Sequence, residues 1–200
     1  MAFQPSLFST KKPTIGVVDL ETTGFLNQKG LIVEIGIASL DLNTGKIKEE
    51  FNSLVKEPGF STVHTRRPYG WIFENSSLRY EDVDAAPTMK SLYDELQRIL
   101  NSFDGITAYN AAFDLPFLRS RSFTFTAYPC PMIASTPIVN LPPAGGRAEP
   151  KWPTVQEAWD FFFGETEYIE KHRALDDALH EAQILYEVYR RGGYKLPKKA

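Results

Sequence analysis

TIGVVDLETTG, residues 14–24, is the stretch on which the reading of this 200-residue chain turns. Residues 14–20 form a short apolar, β-branched run, the pattern of a buried strand. The run ends in Asp19 and Glu21, whose two-residue spacing puts both side chains on one strand face. Paired carboxylates at the end of an apolar strand repel each other and lose solvation, and a divalent cation is the usual remedy. A solvated strand end is the plainer explanation of the pair taken alone, so the rest of the chain has to decide.

Working outward, LIVEIGIASLDL (31–42), the turn Asn43-Thr44-Gly45 and KIKEEFNSLV (46–55) read as a hairpin. Residues 56–77, with Pro58, Gly59, Pro68 and Gly70, read as irregular. Beyond Pro87, the spacing of Met89, Leu92, Tyr93, Leu96, Ile99 and Leu100 predicts a helix packed on a sheet. ITAY (106–109) predicts another buried strand and AAFDLPFLRSR (111–121) a helix. Ser122 to Pro153 holds seven prolines and the pair Gly145-Gly146, which predicts a long loop. Thr154 and Glu157 form a capping box before a further helix, and the last helix is expected from about Arg173 to Arg190. There is no internal repeat. The reading is α/β with one sheet, divided into an N-terminal arm (1–12) expected to be flexible, a domain (13–192) and a short tail (193–200).

Composition excludes other classes. Hydrophobic residues make up 42% and charged residues 24%, which rules out disorder, collagen and coiled coil. The single cysteine, Cys130, excludes a disulfide framework and a thiolate metal cage. No apolar run approaches the roughly 18 residues of a membrane span, and the first residues lack a leader pattern. A soluble, cytoplasmic protein with no membrane partner is expected.

Further acids stand at later element boundaries. Asp114 follows the strand 106–109 where a helix begins, and ligand sites in α/β sheets favour the carboxyl ends of strands. Interaction with the helix dipole is its plainer explanation. His172, Asp176 and Asp177 lie where a loop enters the last helix. Both aspartates sit off the apolar stripe as read from the sequence, so the helical wheel does not separate them. His64 falls in a polar irregular stretch and His180 inside the last helix, where surface or packing roles are expected. An all-acid site that needs open positions suits Mg²⁺ or Mn²⁺ better than zinc.

VVDLETTG (17–24), AYNAAFDLPFL (108–118) and HRALDDA (172–178), in that order, resemble the three motifs of the DEDDh superfamily of 3′–5′ exonucleases, in particular the proofreading epsilon subunits of bacterial DNA polymerase III and their free-standing relatives. LRYEDVDAAPTMKSLYDEL (78–96) resembles the stretch between the first two motifs. The resemblance spans about residues 14–190. It implies a ribonuclease H-like fold, a five-stranded mixed sheet flanked by helices. It also implies two divalent cations held by Asp19, Glu21, Asp114 and Asp177. Asp177 is preferred to Asp176 because the family histidine lies five residues earlier, at His172, which would be the general base. Thr22, Thr23 and Gly24 would hold the 3′ end of a single strand, with Asn110 and Phe113 shaping the pocket.

Setting those four acids aside leaves 21 acidic against 22 basic residues, so charge neither demands nor excludes a nucleic-acid partner. Arg66, Arg67, Arg119, Arg121, Arg147 and Lys151 are candidates for the strand's path. Two family features have no counterpart here: an aspartate-threonine pair in the segment AYPCPMIASTPIVN (127–140), and a histidine in GWIFENSSLRYEDV (70–83). The reading is therefore a DNA 3′–5′ exonuclease, with an RNA-trimming enzyme or a non-catalytic adaptor as alternatives. In the arm, Gln4, Leu7 and Phe8 resemble the short peptide that docks into bacterial sliding clamps; packing of both apolar side chains on this domain is the competing expectation. The tail is expected to be too short for polymerase docking, which favours a free-standing nuclease.

Overall fold

Strand β1 (Thr14–Thr22) lies inside a four-stranded mixed sheet. On one side it pairs antiparallel with β2 (Ile32–Asp41), which pairs antiparallel with β3 (Ile47–Leu54); on the other it pairs parallel with β4 (Gly105–Thr107). This is a computed structural model, and it describes residues 13–146, 148–164 and 168–197. The arm with Gln4, Leu7 and Phe8, and the candidate Arg147, lie outside the described residues.

β1 is buried on both faces, which is why its sequence is a nearly continuous apolar run. Ile15 and Val17 pack into one cluster and Val18 and Leu20 into another. Helices α3 (Met89–Leu100) and α4 (Ala111–Ser120) cover the second cluster; α5 (Pro131–Val139), α6 (Val155–Phe163) and α7 (Ala174–Arg190) cover the first. Two short helices, α1 (Trp71–Asn75) and α2 (Tyr80–Asp84), precede α3. Period-two alternation therefore carries Asp19 and Glu21 onto the face of Ile15 and Val17, towards α7. Slipping the register by one residue would turn both acids away, so core packing fixes where they point.

Three expectations need correction. The sheet has four strands among the described residues, not five. Where a fifth would lie beside β4, Ala127 forms a single parallel bridge to Ile106, through Ile106 N–H to Thr126 O and Tyr128 N–H to Ile106 O, both at 2.8 Å. Pro129 and Pro131 follow, and two residues without an N–H cannot extend a ladder. The proline-rich segment 122–153 is not one loop, because α5 lies within it. Pro131 takes the first helical position, where a missing N–H costs nothing, and Asn140 ends the helix in a left-handed cap. Residues 56–77 likewise include the one-turn helix α1. The capping box of α6 is as expected: Glu157 N–H donates to Thr154 Oγ1 at 3.2 Å and Thr154 N–H to Glu157 Oε2 at 2.9 Å.

Candidate active site

Helix α7 approaches β2 closely because of Gly36: a Cβ there would lie 2.2 Å from the Ala174 carbonyl carbon. Gly36 stands opposite Asp19 in the strand register, so this close approach brings the start of α7 to the acids of β1. One oxygen of Glu21, one of Asp177 and one imidazole nitrogen of His172 lie within 4.8 Å of one another. Asp114 reaches β1 from α4, accepting the Leu20 N–H at 3.1 Å.

The two aspartates that the helical wheel left unresolved have different surroundings. Asp177 is buried on the sheet-facing side of α7 with Ala174, Ala178 and Ala182, so it does not lie away from the packed face as expected. Those alanines belong to the apolar stripe read from the sequence, but the stripe did not reveal that Asp177 is buried beside them. Asp177 Oδ2 accepts the Arg173 N–H at 2.9 Å, while Oδ1 is buried without a hydrogen-bond partner. Asp176 accepts from Lys171 at 3.2 Å, and its other oxygen, also buried without a hydrogen-bond partner, lies 3.7 Å from His180 Nδ1 and outside the cluster of Glu21, His172 and Asp177. His172 adopts a left-handed backbone (φ 52°), which costs roughly 1–2 kcal/mol for a residue with a Cβ. Its ring meets Trp71 edge-on at 4.8 Å.

The electrostatics are those of unneutralised acids crowded together. Burial raises the Asp19 pKa well above the carboxylate range, with Glu181, Glu21, Asp114 and Asp177 adding to the rise. Burial and then Asp177 push Glu21 up to about 9. Burial lifts Asp114 to about 7 against the opposing Leu20 hydrogen bond. Burial and Glu170 lift Asp177 to about 7. Such groups ionise readily only if positive charge joins them, and an orphaned carboxylate oxygen beside an imidazole fits a hard divalent cation.

A cleft of about 450 Å³ opens beside these acids, lined by Glu21, Thr22, Gly24, Phe25, Trp71 and Phe113 among others. Phe25 meets Phe113 edge-to-face at 5.9 Å. Thr23 also lines the cleft, but it is buried, and its hydroxyl and N–H bond the Leu31 backbone. Thr22 Oγ1 donates to the Gly24 carbonyl at 3.0 Å. Asn110 is exposed at the start of α4 and does not line the cleft. A larger hollow of about 840 Å³, between Lys56–Phe60, Thr88–Asp94 and Ser120–Ser122, is lined by the basic candidate Arg121 but by none of the candidate metal, catalytic or pocket residues.

Of the basic candidates, Arg66 and Arg67 flank the cleft through Pro68. Arg119 lies over the Phe125 ring, and Lys151 pairs with Glu157. Arg121 is committed elsewhere, donating from Nε and Nη2 to both oxygens of Glu57 at 2.7 and 2.6 Å. His64 stacks against Phe60, and His180 packs on Trp159 and Tyr168, which are the packing roles expected of them. Sequence reading missed the buried acids Glu34 and Glu181 and the cleft walls Phe25 and Trp71. Glu34 did leave a signal, as a lone charge inside the apolar run LIVEIGIASL.

An α/β sheet that gathers acids and a histidine at the end of its inner strand beside an aromatic cleft has the architecture of a metal-dependent nuclease. The exonuclease family model, RNase_T, matches residues 17–185, and the chain belongs to that family. It is 27% identical over 169 residues to the PolC-type DNA polymerase III of Clostridium perfringens (strain 13 / Type A), a match that covers 84% of this chain and 11% of the polymerase. The chain thus corresponds to about a tenth of that relative's length.

Solved structures agree in fold. The nuclease domain of 3′hExo, a DEDDh family member bound to rAMP, superposes with a TM-score of 0.68 at 15% identity, covering 96% of this chain and 99% of that one. The cell-death related nuclease CRN-4 gives 0.67 at 17%, covering 93% and 66%. A 3′-exonuclease solved for recognition of the histone mRNA stem-loop gives 0.66 at 13%, covering 94% and 86%. No helix among the described residues is long and apolar enough to cross a membrane.

Proposed function

We propose that this enzyme removes nucleoside 5′-monophosphates from the 3′ end of single-stranded DNA, using two Mg²⁺ or Mn²⁺ ions held by Asp19, Glu21, Asp114 and Asp177. The convergence of Glu21, Asp177 and His172 from opposite ends of the chain carries the reading. Once bound, such ions lower the pKa of water and stabilise the departing oxygen.

The protein's own groups do the rest. Phe25, Phe113 and Trp71 offer faces for the terminal base. Thr22 and Gly24 line the approach of the terminal sugar. The His172 imidazole, which comes within 4.8 Å of Glu21 and Asp177 oxygens, takes the proton of the attacking water. Oxygen attacks phosphorus, the bond to the preceding 3′ oxygen breaks, and solvent returns a proton to that oxygen.

A matched pair of 5′-labelled DNA and RNA oligonucleotides tests this. Stepwise, Mg²⁺-dependent shortening of the DNA is expected, and it should vanish in Asp19→Ala. Shortening that persists unchanged in Asp19→Ala would overturn the reading. A second reading, trimming of RNA, is favoured by the rAMP and histone mRNA named for two structural neighbours. Faster shortening of the RNA member would select it.

A further inference from the structure

Glu34 is a charged residue inside the buried strand β2, 1% exposed, and it stands directly opposite Glu21 in the strand register. Like charges across an antiparallel pair repel. Arg173, the residue after His172, meets this acid: its Nη2 donates to Glu34 Oε1 at 2.7 Å and its Nε to Glu34 Oε2 at 3.0 Å. Ala174 N–H adds a third bond to Oε2 at 3.3 Å. The remaining guanidinium nitrogen, Nη1, donates to Ser77 Oγ at 3.0 Å, on the segment that follows α1 and its Trp71. The Arg173 backbone N–H is held by Asp177. Every polar group of Arg173 that these bonds engage ties the residue after His172 to a neighbouring element: strand β2, helix α7 or the segment that follows α1.

We propose that Arg173 is the positioning residue for His172. Its clamp onto Glu34 and Ser77 holds the histidine in its left-handed turn, with the imidazole over Glu21 and Asp177, and neutralises the acid facing Glu21. A bidentate guanidinium suits this task because its fork fixes direction as well as charge, which an ammonium does not. The inference rests on the reading of His172 as the proton acceptor, and a double-mutant cycle separates the two.

Single-turnover and steady-state cleavage of a 5′-labelled oligonucleotide would be measured for Arg173→Met, Arg173→Lys, His172→Ala and His172→Ala/Arg173→Met. Arg173→Met is expected to lower kcat about 30-fold, within the coupling range of contacting residues, with KM changed less than about twofold. Arg173→Lys should recover part of kcat, because it keeps the charge and loses the fork. In the His172→Ala background, Arg173→Met should add less than about a threefold loss. Equal losses in both backgrounds, or a rise in KM in place of a fall in kcat, would overturn the positioning role while leaving His172 as the base. A His172→Ala enzyme as fast as wild type would remove the base reading and this inference with it. Should Arg173→Met not fold, as judged by circular dichroism, Arg173→Lys is run through the same cycle with the same criteria.

Discussion

Two buried glutamates, each paired with a partly exposed arginine in nearly the same geometry, sit in different parts of the molecule. Glu57–Arg121 closes at 2.6 Å and Glu34–Arg173 at 2.7 Å, and both are bidentate. Arg121 also donates to the Gly30 carbonyl, and Glu57 accepts the Ile32 N–H, so that pair staples the loop ahead of β2 to the end of α4 beside the larger hollow. Glu34–Arg173 fastens the residue next to His172. The same chemistry thus serves anchoring alone in one place and catalytic geometry in the other, and what decides is which backbone each arginine belongs to.

Substitutions can break or sharpen that contrast. The acids set the scale: Asp19→Ala removes a group proposed to organise the ions, which are worth several kcal/mol in the transition state, so cleavage should fall on the order of 10³-fold in rate assays. His172→Ala should cost about 10²–10⁴-fold in kcat, the span of a general base. Arg121→Met should leave kcat within about twofold but lower stability by about 3–5 kcal/mol, the usual result of stranding a buried charge. A chain of this size would show that as a fall of roughly 10 °C or more in the melting temperature. If Arg121→Met reduced kcat as much as Arg173→Met, the two pairs would not differ and the contrast would be lost.

The smallest effect is on pH dependence. Asp114 and Asp177 are raised to about 7 and Glu21 to about 9 in the folded chain, above their unfolded values near 4. The native state therefore binds more protons than the unfolded one, so stability is retained at low pH and lost as pH rises through those values. In EDTA the melting temperature should fall by about 5 °C or more between pH 5 and 8.5. Saturating Mg²⁺ should reverse most of that loss, since a ligand of the native state stabilises it by mass action. A flat or rising profile in EDTA would show that the acids are not crowded as described.

Much of this was legible in the sequence, and the omissions have physical causes. β1 and its acids could be read because a buried strand ends where polar residues begin. The capping box of α6 could be read because both partners are local. The fifth strand could not, since its loss depends on two prolines acting on a non-local ladder beside β4. α5 was hidden because prolines usually break helices, and only its position at the first helical residue lets Pro131 start one. Asp176 and Asp177 are not separated on a wheel even though Ala174, Ala178 and Ala182 read as part of the α7 apolar stripe, because the burial of Asp177 depends on how closely α7 approaches β2 at Gly36, which a wheel does not show. Arg173 looked like a helix boundary; its role depends on an acid 139 residues away.

The proposed ion site is tested most directly by titrating Mn²⁺ into the metal-free protein by calorimetry, comparing wild type with Asp177→Asn and Asp176→Asn. The two substitutions remove the same charge from adjacent residues, and each aspartate has a buried oxygen without a hydrogen-bond partner, but among the described residues it is Asp177 that joins Glu21 and His172 in one cluster. Asp177→Asn should weaken Mn²⁺ binding at least about tenfold, the scale of a disturbed metal site, and Asp176→Asn should bind as wild type does. Equal binding by all three proteins, or a loss confined to Asp176→Asn, would contradict the assignment.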